Sequence, residues 1–157
     1  NRTINLHTTM KLQEEQIKDL AENLKVGFTV YINLDTGEMK YLRSEDKHPD
    51  ALELYAEDLD EIDQWENYAE LVEMSSYEAY RIMEDFANMV NEDFYQELIT
   101  ALSQREPFAN FKERVVNSPY REEWFEYRDQ RYLEYTKELL RDEGIEFETN
   151  MKEKDYD

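Results

Sequence analysis

The chain has 157 residues and no cysteine, and 18 Lys and Arg face 39 Asp and Glu, a net charge of −21. That length suits one domain with its own core, and the missing cysteines exclude disulfides, thiolate metal sites and a cysteine nucleophile. Charge of this sign repels phosphates and anionic lipid, so nucleic acid and membrane are excluded as partners, and the apolar runs are far too short to span a bilayer.

The charge is unevenly spread. Residues 45–73 hold twelve acids against Lys47 alone, whereas residues 1–44 carry six of each sign and residues 104–141 eight of each. The bland reading of the excess is solubility; the other is an attraction for basic proteins or cations. Aromatic residues at 13% supply the core material that disordered chains lack. No signal peptide is recognisable, although a start at Asn1 leaves room for a removed leader. A cytoplasmic location is the expectation.

Three glycines and three prolines make punctuation scarce. Thr8 or Thr9 is placed to cap a helix running to about Lys25, with Ile17, Leu20, Ala21 and Leu24 at helical spacing, and Gly27 ends it. Phe28–Leu34, the turn Asp35-Thr36-Gly37 and Met39–Arg43 read as a β-hairpin. After Pro49, the spacing of Leu52, Tyr55, Leu59 and Ile62 predicts a short helix with an acidic outer face. Residues 68–74 read as a third strand, which joins the hairpin because an isolated hairpin is marginal.

From Ser75 the pattern is helical. Ser75 and Glu78 have capping-box spacing, and Ala79, Ile82, Met83, Phe86 and Val90 form one apolar face. Asn91 starts the next helix, with Phe94, Leu98 and Leu102 in line. Pro107 suits a first helical turn ahead of Phe108, Phe111 and Val115. Ser118-Pro119 opens a long last helix that Gly144 closes, with the stripe Phe125, Arg128, Tyr132, Tyr135 and Leu139. The fold class is α+β: an N-terminal helix and small antiparallel sheet, then a bundle of about four helices. A single domain is expected over residues 1–149, divided into 1–74 and 75–144, with a polar tail at 150–157.

Aromatic, apolar and arginine residues are densest in Tyr80-Arg81-Ile82-Met83-Glu84-Asp85-Phe86, Phe108-Ala109-Asn110-Phe111-Lys112 and Trp124-Phe125-Glu126-Tyr127-Arg128. On these residues, with Leu98, Ala101-Leu102 and Gly144-Ile145, the block from Tyr80 to about Ile145 resembles the bacterial uncharacterised protein family 0158. The hairpin around Asp35-Thr36-Gly37-Glu38 is similar, more weakly. The resemblance implies a stand-alone bacterial cytoplasmic protein. It brings no activity, and no catalytic or binding residue carries over from it.

The sharpest candidate site combines Arg81, Asp85, Lys112, Trp124, Tyr127 and Arg128. Arg81 and Asp85 are four apart on a helix and able to pair, and Arg128 falls within an apolar stripe where a guanidinium needs a carboxylate or a ring. Such a cluster would clamp an anionic ligand; alternatively it fixes how helices pack. Asp58, Asp60 and Asp63 lack the glycine and final glutamate of a calcium loop, and their helical spacing turns them outward. His7 and His48 stand alone, so no metal site is expected. Adjacent Glu84 and Asp85 point about 100° apart and do not share a site. No phosphate loop, nucleophile elbow or zinc-protease helix occurs, so no catalytic residue and no cofactor is assigned.

Tyr120, Trp124, Tyr127, Tyr132 and Tyr135 crowd the last helix on more than one face. They are either exposed interface anchors or the two sides of a helix packed within one domain. The leading expectation is a non-enzymatic interaction or regulatory module with a protein partner of basic character; self-association is left open. The rivals are a small-ligand protein or enzyme at the arginine cluster, and an acidic mimic of nucleic acid that binds a basic partner.

Overall fold

The structure, a computed structural model, describes residues 10–43 and 51–148. It is α+β, as the sequence predicts, with a three-stranded antiparallel sheet and a predominantly helical second half. None of its helices is long and apolar enough to cross a membrane among the described residues. Thr8, Thr9, both histidines, Pro49 and the 150–157 tail lie outside the described residues.

Chain contacts divide the molecule into two compact units. One takes the chain up to Glu73 and again from Tyr132 onward; the other is Met74–Arg131. The first boundary lies between Glu73 and Met74. The second boundary falls inside the last helix, so that helix contributes to both units.

In the first unit, β1 (Lys11–Leu12) precedes α1 (Glu14–Lys25). The helix therefore starts later than the threonines suggested. Residues 11–12 pair in parallel with β5 (Glu146–Phe147), a partner 135 residues away that local pattern does not reveal. Gln13 supplies the cap: its N–H donates to Gln16 Oε1 at 2.8 Å. Ile17, Leu20, Ala21 and Leu24 are all buried, and Gly27 turns the chain at φ 101°.

β2 (Phe28–Asn33) is the central strand, between β3 (Met39–Arg43) and β4 (Tyr68–Leu71). Val30 and Ile32 on β2 face inward with Ala69 and Leu71 of β4, while Tyr31, Tyr68 and Glu70 fall on the opposite face. Asn33 Oδ1 accepts the N–H groups of Asp35 and Thr36 at 2.8 and 3.1 Å, which shapes the hairpin turn, and Gly37 sits at φ 84°. The predicted short helix is broken at Tyr55 into α2 (Ala51–Leu54) and α3 (Ala56–Asp63), with Ile62 buried. Lys40 of β3 holds α3 through Asp58 and Glu61 at 3.2 and 3.3 Å.

The second unit contains α4 (Ser76–Ala87), α5 (Glu92–Leu102), α6 (Pro107–Val116) and the first half of α7 (Arg121–Asp142). Two caps are as predicted. Ser75 Oγ accepts the Glu78 N–H at 3.1 Å, and Asn91 Oδ1 that of Phe94 at 2.9 Å. Pro107 opens α6, preceded by Glu106 in the left-handed region at φ 52°. Phe86, Leu98, Phe111, Val115 and Trp124 fill the centre of this unit's core.

The stripe assigned to α7 is shifted. Phe125, Arg128, Tyr132, Tyr135 and Leu139 are half-buried, and full burial falls on Trp124, Thr136, Lys137 and Leu140. Thr136 hides its hydroxyl by donating to the Tyr132 carbonyl at 2.8 Å, and the Lys137 ammonium lies 3.9 Å from Glu14. A threonine four residues from its own acceptor, and a lysine whose carboxylate is on α1, read as surface by residue type alone.

Candidate functional site

The six candidate residues fall on α4, α6 and α7 of the second unit; Asp85 and Tyr127 meet at Arg131, and Arg81 and Arg128 turn to other partners. Trp124 is 3% exposed and meets Phe86 and Phe111 edge-on at 5.3 and 4.9 Å. It is core. Tyr127 lays its ring 5.6 Å from Phe86, and its hydroxyl accepts from the Arg131 guanidinium. Lys112 is on the exposed side of α6.

Arg81 and Asp85 do not form the pair expected. Arg81 donates to the Tyr77 hydroxyl at 3.1 Å and lies 3.9 Å from Glu84, both close by on its own helix. Its pKa is raised, first by that hydrogen bond to Tyr77. Asp85 instead accepts from Arg131 of α7 at 2.9 Å. Burial pulls the Arg131 pKa down, but the bonds to Asp85 and Tyr127 outweigh it and leave the value raised. Arg131 is the residue that sequence reasoning missed. Its signal was its place four residues beyond Tyr127 on one helix face; its carboxylate partner, 46 positions earlier, carried none.

Arg128 is paired and partly buried, as expected. Its side chain is 25% exposed, its guanidinium lies over Phe125 at 5.0 Å, and it meets Asp129 at 3.1 Å. Arg121 covers the same Phe125 ring at 5.1 Å. Each of these arginines thus has a ring or carboxylate of its own unit as a partner.

The aromatic residues of α7 divide in the same way. Tyr120 stacks on Phe94 at 5.3 Å and its hydroxyl accepts the Asn91 N–H at 3.0 Å; Tyr135 donates to the Val72 carbonyl at 2.8 Å. Each is packed within its own unit. The exposed ring of the second unit is Tyr77 on α4, 70% exposed, with Arg81 beside it. Tyr77, Arg81 and Glu84 share the helix face opposite Ile82, Met83 and Phe86, so the 3.6-residue period could have singled out Tyr77.

A groove of about 320 Å³ lies elsewhere, in the first unit at the hairpin turn. Met10, Leu12, Leu34 and Met39 contribute apolar atoms, but Lys11, Gln16, Asp35 and Thr36 also line it and most of the surface it presents is polar. Gln16 Oε1 is engaged at the cap of α1, and the Thr36 hydroxyl accepts the Glu38 N–H at 3.1 Å. Among the described residues no group of three or more His, Asp or Glu is placed to hold a metal ion.

No curated protein and no solved structure matches the chain. One family does, and its match extends well beyond the block that carried the resemblance. Over residues 8–155, nearly its whole length, the chain belongs to the Uncharacterised protein family (UPF0158).

Proposed function

We propose that this chain is a non-enzymatic interaction or regulatory module that docks a protein partner through the outer face of α4. The observation that supports it is Tyr77. Its ring stands 70% exposed at the start of the helix, and Arg81 is oriented against its hydroxyl at 3.1 Å. Tyrosine and arginine dominate the energetic centres of protein interfaces because they bury large areas and still hydrogen-bond. Here the pair is already arranged, so less side-chain freedom is lost on docking.

The experiment is recovery of complexes from the host organism with the wild-type chain and with a Tyr77→Ala, Arg81→Ala double variant. Both side chains are more than half exposed, so the variant keeps its melting temperature. A protein retained in stoichiometric amount by the wild type and lost with the variant is the expected result. Equal recovery by both contradicts the reading.

A second reading has one observation in its favour. The groove at the hairpin turn, about 320 Å³, has the size of a small-ligand site, with a mostly polar surface suited to a polar ligand. Saturable binding of a metabolite that shifts the resonances of Thr36 and Gly37 would favour it over a docking module.

A further inference from the structure

The outer face of the sheet in the first unit carries a second aromatic group, unlike the first in its surroundings. Trp65, just before β4, meets Tyr68 edge-on at 6.3 Å, and Tyr68 lies 6.1 Å from Tyr31 across the strand pair. Strand alternation puts Tyr68 and Glu70 on this face, because Ala69 and Leu71 point into the core. Tyr68 is 41% exposed. Glu70 is fixed in place by the Tyr31 hydroxyl, which donates to it at 3.0 Å.

Charge separates this face from the rest of the molecule. It belongs to the stretch 45–73, with twelve acids and one lysine. Lys40, the cross-strand partner of Tyr31, already sits within 3.5 Å of Glu38, Asp58 and Glu61. Elsewhere the chain covers its rings with its own arginines: Arg43 on Phe28, Arg81 on Tyr77, Arg128 on Phe125, Arg131 on Tyr127, Arg141 on Phe147. Among the described residues no arginine or lysine lies over Trp65 or Tyr68. A tryptophan and a tyrosine, half open, beside an oriented carboxylate in a strongly negative field, are the elements that attract and hold a cation.

We infer that the Trp65–Tyr68–Glu70 face binds an arginine or lysine side chain of a basic protein segment, with the charged head between the rings and Glu70. The surrounding acids draw the segment in and the rings hold the side chain. This goes beyond the α4 reading: it concerns another surface and another unit, so either can fail without the other.

The probe is a peptide of six Arg-Gly repeats, with a Gln-Gly peptide of equal length as control. The chain has two tryptophans, so protein labelled with ¹⁵N at tryptophan gives two indole signals. The Trp65 signal is expected to move saturably with the arginine peptide and to stay still with the glutamine peptide, while that of buried Trp124 stays put in both. Tyr68→Ala leaves net charge unchanged and is expected to weaken binding about fivefold to tenfold. Tyr68→Leu, which keeps the apolar bulk, is expected to do the same and guards against a folding defect. Glu123→Gln, removing a charge from the second unit, is expected to leave affinity within about twofold. An unmoved Trp65 signal overturns the inference. So does a Tyr68 variant that binds like the wild type, because attraction to bulk negative charge would then explain everything.

Discussion

At the scale of single residues, the local chemistry of helix ends is what the sequence displays most clearly. Ser75, Asn91, Gly27 and Gly144 act where they stand because a cap needs only neighbours three or four positions away. Arg128 reads correctly for the same reason, since Phe125 and Asp129 are nearby in the chain. The Arg81–Asp85 pair does not, because Arg131 reaches Asp85 from a distant helix and Tyr77 and Glu84 are left to Arg81. Trp124 illustrates how a candidate site residue becomes core: it lies between two phenylalanines, each 5.3 Å away or less. Trp124→Ala should cost about 3–5 kcal/mol, measured by denaturant unfolding, and it should not abolish partner recovery in proportion. Glu106 holds a left-handed backbone before Pro107. Glu106→Asn, which tolerates that region and can cap α6, should raise stability by about 0.5–1 kcal/mol in the same assay.

At the scale of elements, alternation and helical period account for the hairpin, the third strand and all four later helices. They do not reveal β1 and β5, two residues each, which exist only by pairing with one another. Nor do they settle which face of α7 is inward, since its residues serve different cores along its length. The contact of α3 with β3 yields a pH prediction. The Lys40 pKa is raised above its ordinary value, chiefly by its hydrogen bond to Asp58, against some loss from burial. The Tyr41 pKa is raised by burial, with Asp19 adding to it. Both groups are more protonated in the folded chain than in the unfolded one. Their stabilisation is therefore complete below the unfolded values, about pH 10, and is lost as pH rises through the folded values. Thermal melts between about pH 9 and 11.5 should show a falling melting temperature, and a Lys40→Met, Tyr41→Phe variant should show a shallower fall. The variant should also be less stable at pH 7, by about 1 kcal/mol, because three carboxylates lose their shared cation.

At the scale of the whole molecule, charge is the dominant fact. The second unit holds seven basic and twelve acidic residues, so most of the net −21 belongs to the first. Like charges at this density repel within a Debye length of about 10 Å at 0.1 M salt. Raising salt from about 10 to 200 mM should raise the melting temperature, and low millimolar magnesium should do so at much lower concentration by diffuse accumulation. A flat or falling curve would mean that pairs such as those of Lys40 outweigh the repulsion. The central claim is that Tyr77 marks a docking surface. Its most direct measurement is photo-crosslinking in the host cell, with benzoylphenylalanine placed at position 77 and, in a second chain, at position 122, whose glutamate is 79% exposed. A discrete adduct to one protein from position 77, absent from position 122 and lost when Arg81 is also replaced by alanine, is the result this account predicts. No adduct from position 77, or the same adducts from both positions, would contradict it.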